Sequence, residues 1–254
     1  MKMKNKLNHI STALLVLLLV SSASLLMAQS ARLKQQILVD VSHGQKFWND
    51  PTAMSGKEPS VVQRINYMNG ELVKNATALK TEVTYLKGKI TPDVLAKGNV
   101  LFIHIPSSKY EADEVKAIQQ HLEKGGSLFL VMDANYWSTL AQTNVNDIVR
   151  PYNIKFGEDS PDTSVGGHTK AGVLTKKNLK IPYHGARLVE GGTPFGFSNK
   201  TEEYPFGTFV KLKSGGKIIA MGDGMVSLYM TAWEGVNDYQ CSEFMQEAFA
   251  WLLK

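Results

Sequence analysis

Four clusters of polar residues each follow a short apolar run, and their side-chain types suit binding or proton transfer. Asp40, Ser42 and His43 follow Ile37–Val39, and Ser107 and Ser108 follow Val100–Ile105. Asp133, Asn135 and Trp137 follow Leu128–Met132, and Asp223 follows Ile218–Met221. Carboxylates, hydroxyls and an imidazole bind hydroxylated or anionic ligands, and an imidazole changes charge near neutral pH. His43 suits an acid/base or ligand-contact role, or orientation of its own loop by hydrogen bonds. Asp133 and Asp223 would be its carboxylate partners in catalysis, and either suits the bland task of capping turn amides. A Ser–His–Asp set can be composed from Ser107 or Ser42, His43 or His184, and Asp133 or Asp223. Such sets are recognised by geometry, and the chain has no G-x-S-x-G elbow. His104 sits inside an apolar run and reads as a core histidine. His43, His168 and His184 lack close i,i+2 or i,i+4 spacing, so no metal and no cofactor are expected. Phe47, Trp48, Tyr136 and Trp137 suit stacking on sugar rings or plain core packing.

These clusters can meet only if the preceding runs are parallel strands. Near-continuous Val/Ile/Leu runs are the mark of strands buried on both faces. Residues 37–41, 100–105, 128–132 and 217–221 are expected to form a parallel sheet, with a weaker strand at 81–86. Ser60 and Gln63 fit a capping box before a helix carrying Val61, Ile65, Met68 and Leu72. Ser108 and Glu111 fit a second box, with Ser108 as N-cap. In that helix Val115, Ile118 and Leu122 form the buried stripe, while Glu111, Glu114, Lys116 and Gln119 lie away from it. Gly125-Gly126 ends it. Shorter helical turns are expected at 91–97 and 146–152. Residues 157–207, rich in Gly, Thr, Ser, Pro and Lys, read as an irregular insert with one strand at 187–189. A hairpin (209–212 and 217–221) and a helix bearing Phe244, Ala248, Trp251 and Leu252 close the chain. The fold class is α/β, a mainly parallel sheet with helices on both faces and a C-terminal β-hairpin plus helix. Ligands bind beyond the carboxyl ends of such strands. All four clusters should therefore converge on one edge, with His43 and Asp133 lining the main cleft.

Lys2, Lys4 and Lys6 precede an apolar stretch from Thr12 to Leu26, and Ala28 offers a cleavage site. This reads as a signal peptide over residues 1–28, with periplasmic or secreted localisation, although retention as an anchor stays open. The apolar stretch falls short of the roughly 20 residues a spanning helix needs, so no stable membrane span is expected after cleavage. Of the formal charge of +5, three units come from those lysines, leaving +2 for residues 29–254. That near-neutral balance argues against nucleic acid as a partner. Cys241 is the only cysteine, so no internal disulfide can form. Residues 29–254 suit a single domain.

The layout resembles the class I glutamine amidotransferase-like superfamily, on three stretches. They are Leu38–Gly44; the strand-Ser-helix-Gly-Gly-strand block from Gly98 to Asp133; and Gly215–Gly224 with the closing Trp-Leu-Leu helix. The likeness is strongest to the non-amidotransferase branch, which includes DUF4350, GIFT and ThuA-like domains. It implies a flavodoxin-like, doubly wound sheet. The superfamily's nucleophilic cysteine belongs after the strand that follows the Gly-Gly bend. Here that place is Met132-Asp133-Ala134-Asn135, so thiolate chemistry and glutaminase activity are not expected. Two functions remain open. One is a domain that binds a small polar ligand, carbohydrate among the candidates, or a protein partner. The other is a hydrolase or isomerase of sugar derivatives, using His43 with Asp133 or Asp223.

Overall fold

The computed structural model describes residues 35–254, and the expected signal peptide lies outside the described residues. Gln35–Lys254 form one compact unit. The chain runs through β1 (Gln36–Asp40), α1 (Pro59–Ala78), β2 (Glu82–Leu86), α2 (Pro92–Leu95), β3 (Val100–His104), α3 (Ala112–Glu123) and β4 (Ser127–Val131). Then come α4 (Val145–Val149), β5 (Ile154–Asp159), β6 (Val165–Thr169), β7 (Lys180–His184), β8 (Arg187–Gly191) and β9 (Thr193–Ser198). β10 (Gly207–Lys211), β11 (Lys217–Met221) and α5 (Cys241–Leu253) complete it.

Nine strands form one mixed sheet in the order β2-β1-β3-β4-β11-β10-β9-β6-β7. The first five are mutually parallel, including the adjacent pair β3 and β4. The last four run antiparallel to their neighbours. Alternate residues of the parallel strands divide the core, because side chains on a strand point to opposite faces. Val39, Phe102, Phe129 and Ile219 pack with α1 and α5, while Leu38, Leu101, Leu128 and Ile218 pack with α2, α3 and α4. Both faces are therefore covered by helices, and the carboxyl ends of five strands share one edge.

Four expectations are corrected. Pro59, not Ser60, opens α1, with Glu58 as N-cap, since proline's fixed φ and missing N–H suit the first helical position. α3 begins three residues later than expected, with Glu111 rather than Ser108 as N-cap. Its Glu114 faces inward, buried, and accepts the Glu111 N–H at 2.9 Å. The expected insert at 157–207 is not irregular. It forms β6, β7 and β9 of the main sheet and, in β5 and β8, a separate antiparallel pair. Glycines at bulges break the alternation of these strands, as where the β6–β7 register shifts between Val165 and Gly167. Gly125, at φ +92°, supplies the left-handed turn that ends α3.

Candidate functional site

The carboxyl edge holds two separate polar arrangements, one sealed and one open. The sealed one is built on the turn after β1. Asp40 Oδ2 lies 2.9 Å from His43 Nδ1 and accepts from Gln45 Nε2 at 2.6 Å and the Tyr110 hydroxyl at 2.8 Å. Its Oδ1 accepts from the Ser42 N–H and hydroxyl. His43 Nε2 reaches Glu114 Oε2 at 3.2 Å, and Glu114 Oε1 accepts the Ile90 N–H at 2.7 Å. The Tyr110 ring stacks on the imidazole with centroids 4.0 Å apart.

A carboxylate on each ring nitrogen favours the doubly protonated imidazolium. Burial alone would lower the His43 pKa, but hydrogen bonds and charge from Asp40, then Glu114, raise it above the usual value. For Asp40 and Glu114, burial works upward and is outweighed. The His43 bond and charge lower Asp40, and the backbone N–H groups of Glu111 and Ile90, with His43, lower Glu114. His43 is only 7% exposed and does not line the open cleft described below. The expected placement is thus corrected: the ion pairs draw the ring inward, and with Asp40 and Ser42 it locks the β1 turn to α3. Ser107 and Ser108 serve the same lock, donating their backbone N–H groups to the His43 carbonyl at 3.0 and 3.3 Å. The Ser107 hydroxyl donates to the Gly44 carbonyl.

The open arrangement lies on the α1 side. It is a cleft of about 800 Å³ between α1, the loops after β1 and β4, and residues 225–233. Asp133 and Trp137 line it, as do Phe47, Arg64, Tyr67 and Trp233. Tyr136, 85% exposed, stands at the rim beside Trp137, with ring centroids 4.8 Å apart. Trp137 meets Phe47 edge-on at 4.9 Å. Trp48, by contrast, is buried against Phe102 and belongs to the core.

Asp133 Oδ1 accepts the Ala134 N–H and Oδ2 the Gly224 N–H, both at 2.8 Å. Asp223 sits behind it, buried, with its oxygens on the N–H groups of His184 and Met225. Burial raises the pKa of both, and for Asp133 the neighbouring Asp223 charge adds to the rise. Asp133 therefore favours the neutral acid far more than an ordinary aspartate. Asp223 does not line the cleft. Nor does Asn135, whose side-chain oxygen accepts from Arg187 Nη2 at 2.8 Å.

Arg187 holds the whole β4 loop. Fully buried, it donates to the carbonyls of Asp133, Gly157 and Ser138 as well as to Asn135. Sequence reading missed it, because an arginine in a Gly- and Lys-rich segment gives no local sign of burial. Arg64, Tyr67 and Trp233 were missed too, since they reach the cleft only through tertiary packing. His104 is a buried core histidine with its pKa lowered to about 3 by burial. His184 lines the cleft and His168 does not; among the described residues no group of three His, Cys, Asp or Glu is placed to hold a metal. Cys241 is buried, remote from the β4 turn in sequence, and its thiol donates to the Met230 carbonyl.

Residues 65–165 match the family model of the IFT52 GIFT domain. That span runs from within α1 to the start of β6 and contains Tyr110, Glu114 and Asp133. The mmIFT52 N-terminal domain aligns at a TM-score of 0.60 and 15% identity, covering 86% of this chain and 97% of that one. A β-galactosidase from Rahnella sp. R3 aligns at 0.52 and 11% identity, over 86% of this chain but only 31% of the enzyme. A protein described as ThuA-like, from Bacteroides uniformis, aligns at 0.48 and 13% identity, over 87% of this chain and 93% of its own. No curated protein matches the chain in sequence. At these identities the likeness is one of fold: a mixed α/β domain of the shape that the mmIFT52 N-terminal domain has.

Proposed function

We propose that this chain is a binding domain that holds a carbohydrate ring in the cleft between α1 and the β4 loop. The observation that carries the reading is the set of exposed aromatic faces around a recessed carboxyl group. Trp137 and Trp233, 39% and 37% exposed, flank a cleft that also holds Asp133. Aromatic faces stack on the apolar faces of sugar rings, and a carboxyl group bonds their hydroxyls; sites of this kind are apolar with a few fixed polar groups. The fold would be flavodoxin-like and doubly wound, which the parallel order β2-β1-β3-β4-β11 supports. It would be an amidotransferase-like domain of the GIFT, DUF4350 and ThuA-like kind without the nucleophile, since Met132 to Asn135 contain no cysteine. The Lys2–Ala28 segment supports export to the periplasm or beyond.

Binding is favoured over the hydrolase or isomerase alternative by the surroundings of the acids. That alternative pairs His43 with Asp133 or Asp223, and both members of the pair must reach the substrate. His43 is bonded on both ring nitrogens away from the cleft, and Asp223 is buried and does not line it. The test is isothermal titration of the full chain with a panel of neutral and acidic oligosaccharides, beside Trp137→Ala and Trp233→Ala. Binding weakened at least tenfold by either substitution supports the reading. Undetectable binding of every saccharide overturns it, and a protein captured through the same tryptophans would replace it with a partner-docking role.

A further inference from the structure

Among the described residues, Arg64 is the one lysine or arginine lining the cleft. It projects from α1, with its guanidinium carbon 5.5 Å from the centroid of the Phe47 ring. Among the described residues it has no ion pair, and its Nε is buried without a hydrogen-bond partner. The contrast with Arg187, whose Nε, Nη1 and Nη2 all donate within the protein, is sharp. A buried N–H is seldom left unpaired. A guanidinium with no ion-pair or hydrogen-bond partner among the described residues, at the wall of an apolar cleft, is free to take an anion from outside the protein.

We infer that Arg64 makes this cleft selective for a ring that bears a carboxylate, a hexuronic acid unit of a saccharide. This rests on the carbohydrate reading above and narrows it to a class of ligand. The planar fork matches a carboxylate with two parallel N–H···O bonds. A phosphate suits the site less well. It would bring close to two negative charges against one guanidinium, with no lysine in the lining to balance the second. Asp133 does not oppose the anion, because burial and Asp223 hold its carboxyl toward the neutral form. As a neutral acid it donates a hydrogen bond to the ligand while Arg64 takes the charge. The Phe47 ring, 5.5 Å from the guanidinium carbon, limits the freedom of the fork before the ligand arrives.

The experiment titrates the full chain with oligogalacturonate, oligoglucuronate and the methyl esters of each, which keep the rings and remove the charge. The acids are expected to bind at least about tenfold more tightly than their esters, the size of one charged hydrogen-bonded pair. Arg64→Gln should abolish that preference, so that acid and ester bind alike, in a chain whose melting temperature shows it folded. Arg64→Lys, which keeps the charge and loses the fork, should restore only part of it. Equal binding of acid and ester by the native chain overturns the inference and leaves the carbohydrate reading standing. So does a preference that survives Arg64→Gln. Tighter binding of a sugar phosphate than of the uronates replaces carboxylate with phosphate. Undetectable binding of acids, esters and neutral sugars alike overturns both readings.

Discussion

The buried Arg187 guanidinium donates from Nε to the backbone carbonyl of Asp133 at 3.0 Å, although 54 residues separate them in the chain. The loop that carries Asp133, Tyr136 and Trp137 is therefore held from the first residue of β8, a strand of the small second sheet. Two further donations, to Asn135 Oδ1 and the Ser138 carbonyl, pin the loop on both sides of its exposed aromatics. The cleft wall is fixed by a residue that never reaches the cleft.

Arg187→Met should cost about 3–5 kcal/mol, because it strips the donor from four acceptors in a site closed to water. Arg187→Lys should also destabilise, since an ammonium cannot reproduce the fork. Urea unfolding gives the cost, and acrylamide quenching in a Trp233→Phe background, where Trp137 is the one exposed tryptophan, reports on the loop. An Arg187→Met chain with the native midpoint and native quenching would show that something else holds it.

The sealed cluster predicts a pH dependence with two limbs. Asp40 and Glu114 give up protons more readily in the fold than in the unfolded chain, where their values are near 3.8 and 4.5. Their contribution is present above those values and is lost as pH falls through the depressed folded ones. His43 holds its proton more tightly than the unfolded value of 6.5. Its contribution is full below that pH and is lost as pH rises through the folded value. His43→Gln leaves two buried carboxylates without their cation, a loss of about 3–5 kcal/mol. The deficit against the native chain should be largest between about pH 5 and 6.5 and should shrink as pH rises through the raised folded value of His43. Asp133 and Asp223 are common to both chains, so their titration cancels in the difference. A deficit that does not change with pH would mean that His43 stays neutral.

Two glycines should respond to alanine in opposite directions. Gly222 passes so close to β8 that a Cβ there would stand 1.9 Å from the Arg187 carbonyl oxygen, a backbone atom. The pair is also hydrogen bonded, Arg187 N–H to Gly222 carbonyl at 2.8 Å, so the chains cannot part cheaply. Gly222→Ala should cost about 3 kcal/mol, at the upper end for overpacking. Gly70 lies exposed in α1, and a methyl added there would meet nothing within 4 Å. Gly70→Ala should therefore stabilise by about 0.5–1 kcal/mol through helix propensity. Equal effects on the urea midpoint at the two positions would contradict the close approach of β11 and β8.

The parallel half of the sheet was legible because its strands are buried on both faces, so Val100–Ile103 and Leu128–Val131 read as unbroken apolar runs. The antiparallel half was not. Val165–Thr169 is Val-Gly-Gly-His-Thr, and its place is set by pairing with β7 and β9 rather than by its own composition. Within the site, Asp133 and Trp137 were legible as residues just past a strand end. His43 shares that position but not that outcome, since Glu114 and Asp40 pull it inward. Glu114 was misread because its place in the first turn of α3 looks solvent-facing until the β1 turn is packed against it. Arg64 lay hidden for a related reason: nothing in α1 says that Phe47 will cover it.

Cys241 should be unreactive while the protein is folded, and the chain should release no ammonia from glutamine. The thiol is 1% exposed and donates to the Met230 carbonyl. Burial, with a smaller push from the Asp223 charge, raises its pKa, so the nucleophilic thiolate is not populated at neutral pH. At the strand end where the amidotransferase resemblance would place the nucleophile, the chain has buried Met132 and then Asp133. A carboxyl held by two backbone N–H groups there can accept or donate a hydrogen bond, but it cannot form the thioester that amide transfer from glutamine requires. A thiol-reactive disulfide dye should label the native chain at less than a hundredth of its rate in urea. Coupled ammonia detection should give the same reading with native protein, Cys241→Ala and buffer. Rapid labelling of the folded chain, or ammonia release lost in Cys241→Ala, would show that Cys241 is an accessible nucleophile and that the chemistry lies at α5 rather than after β4.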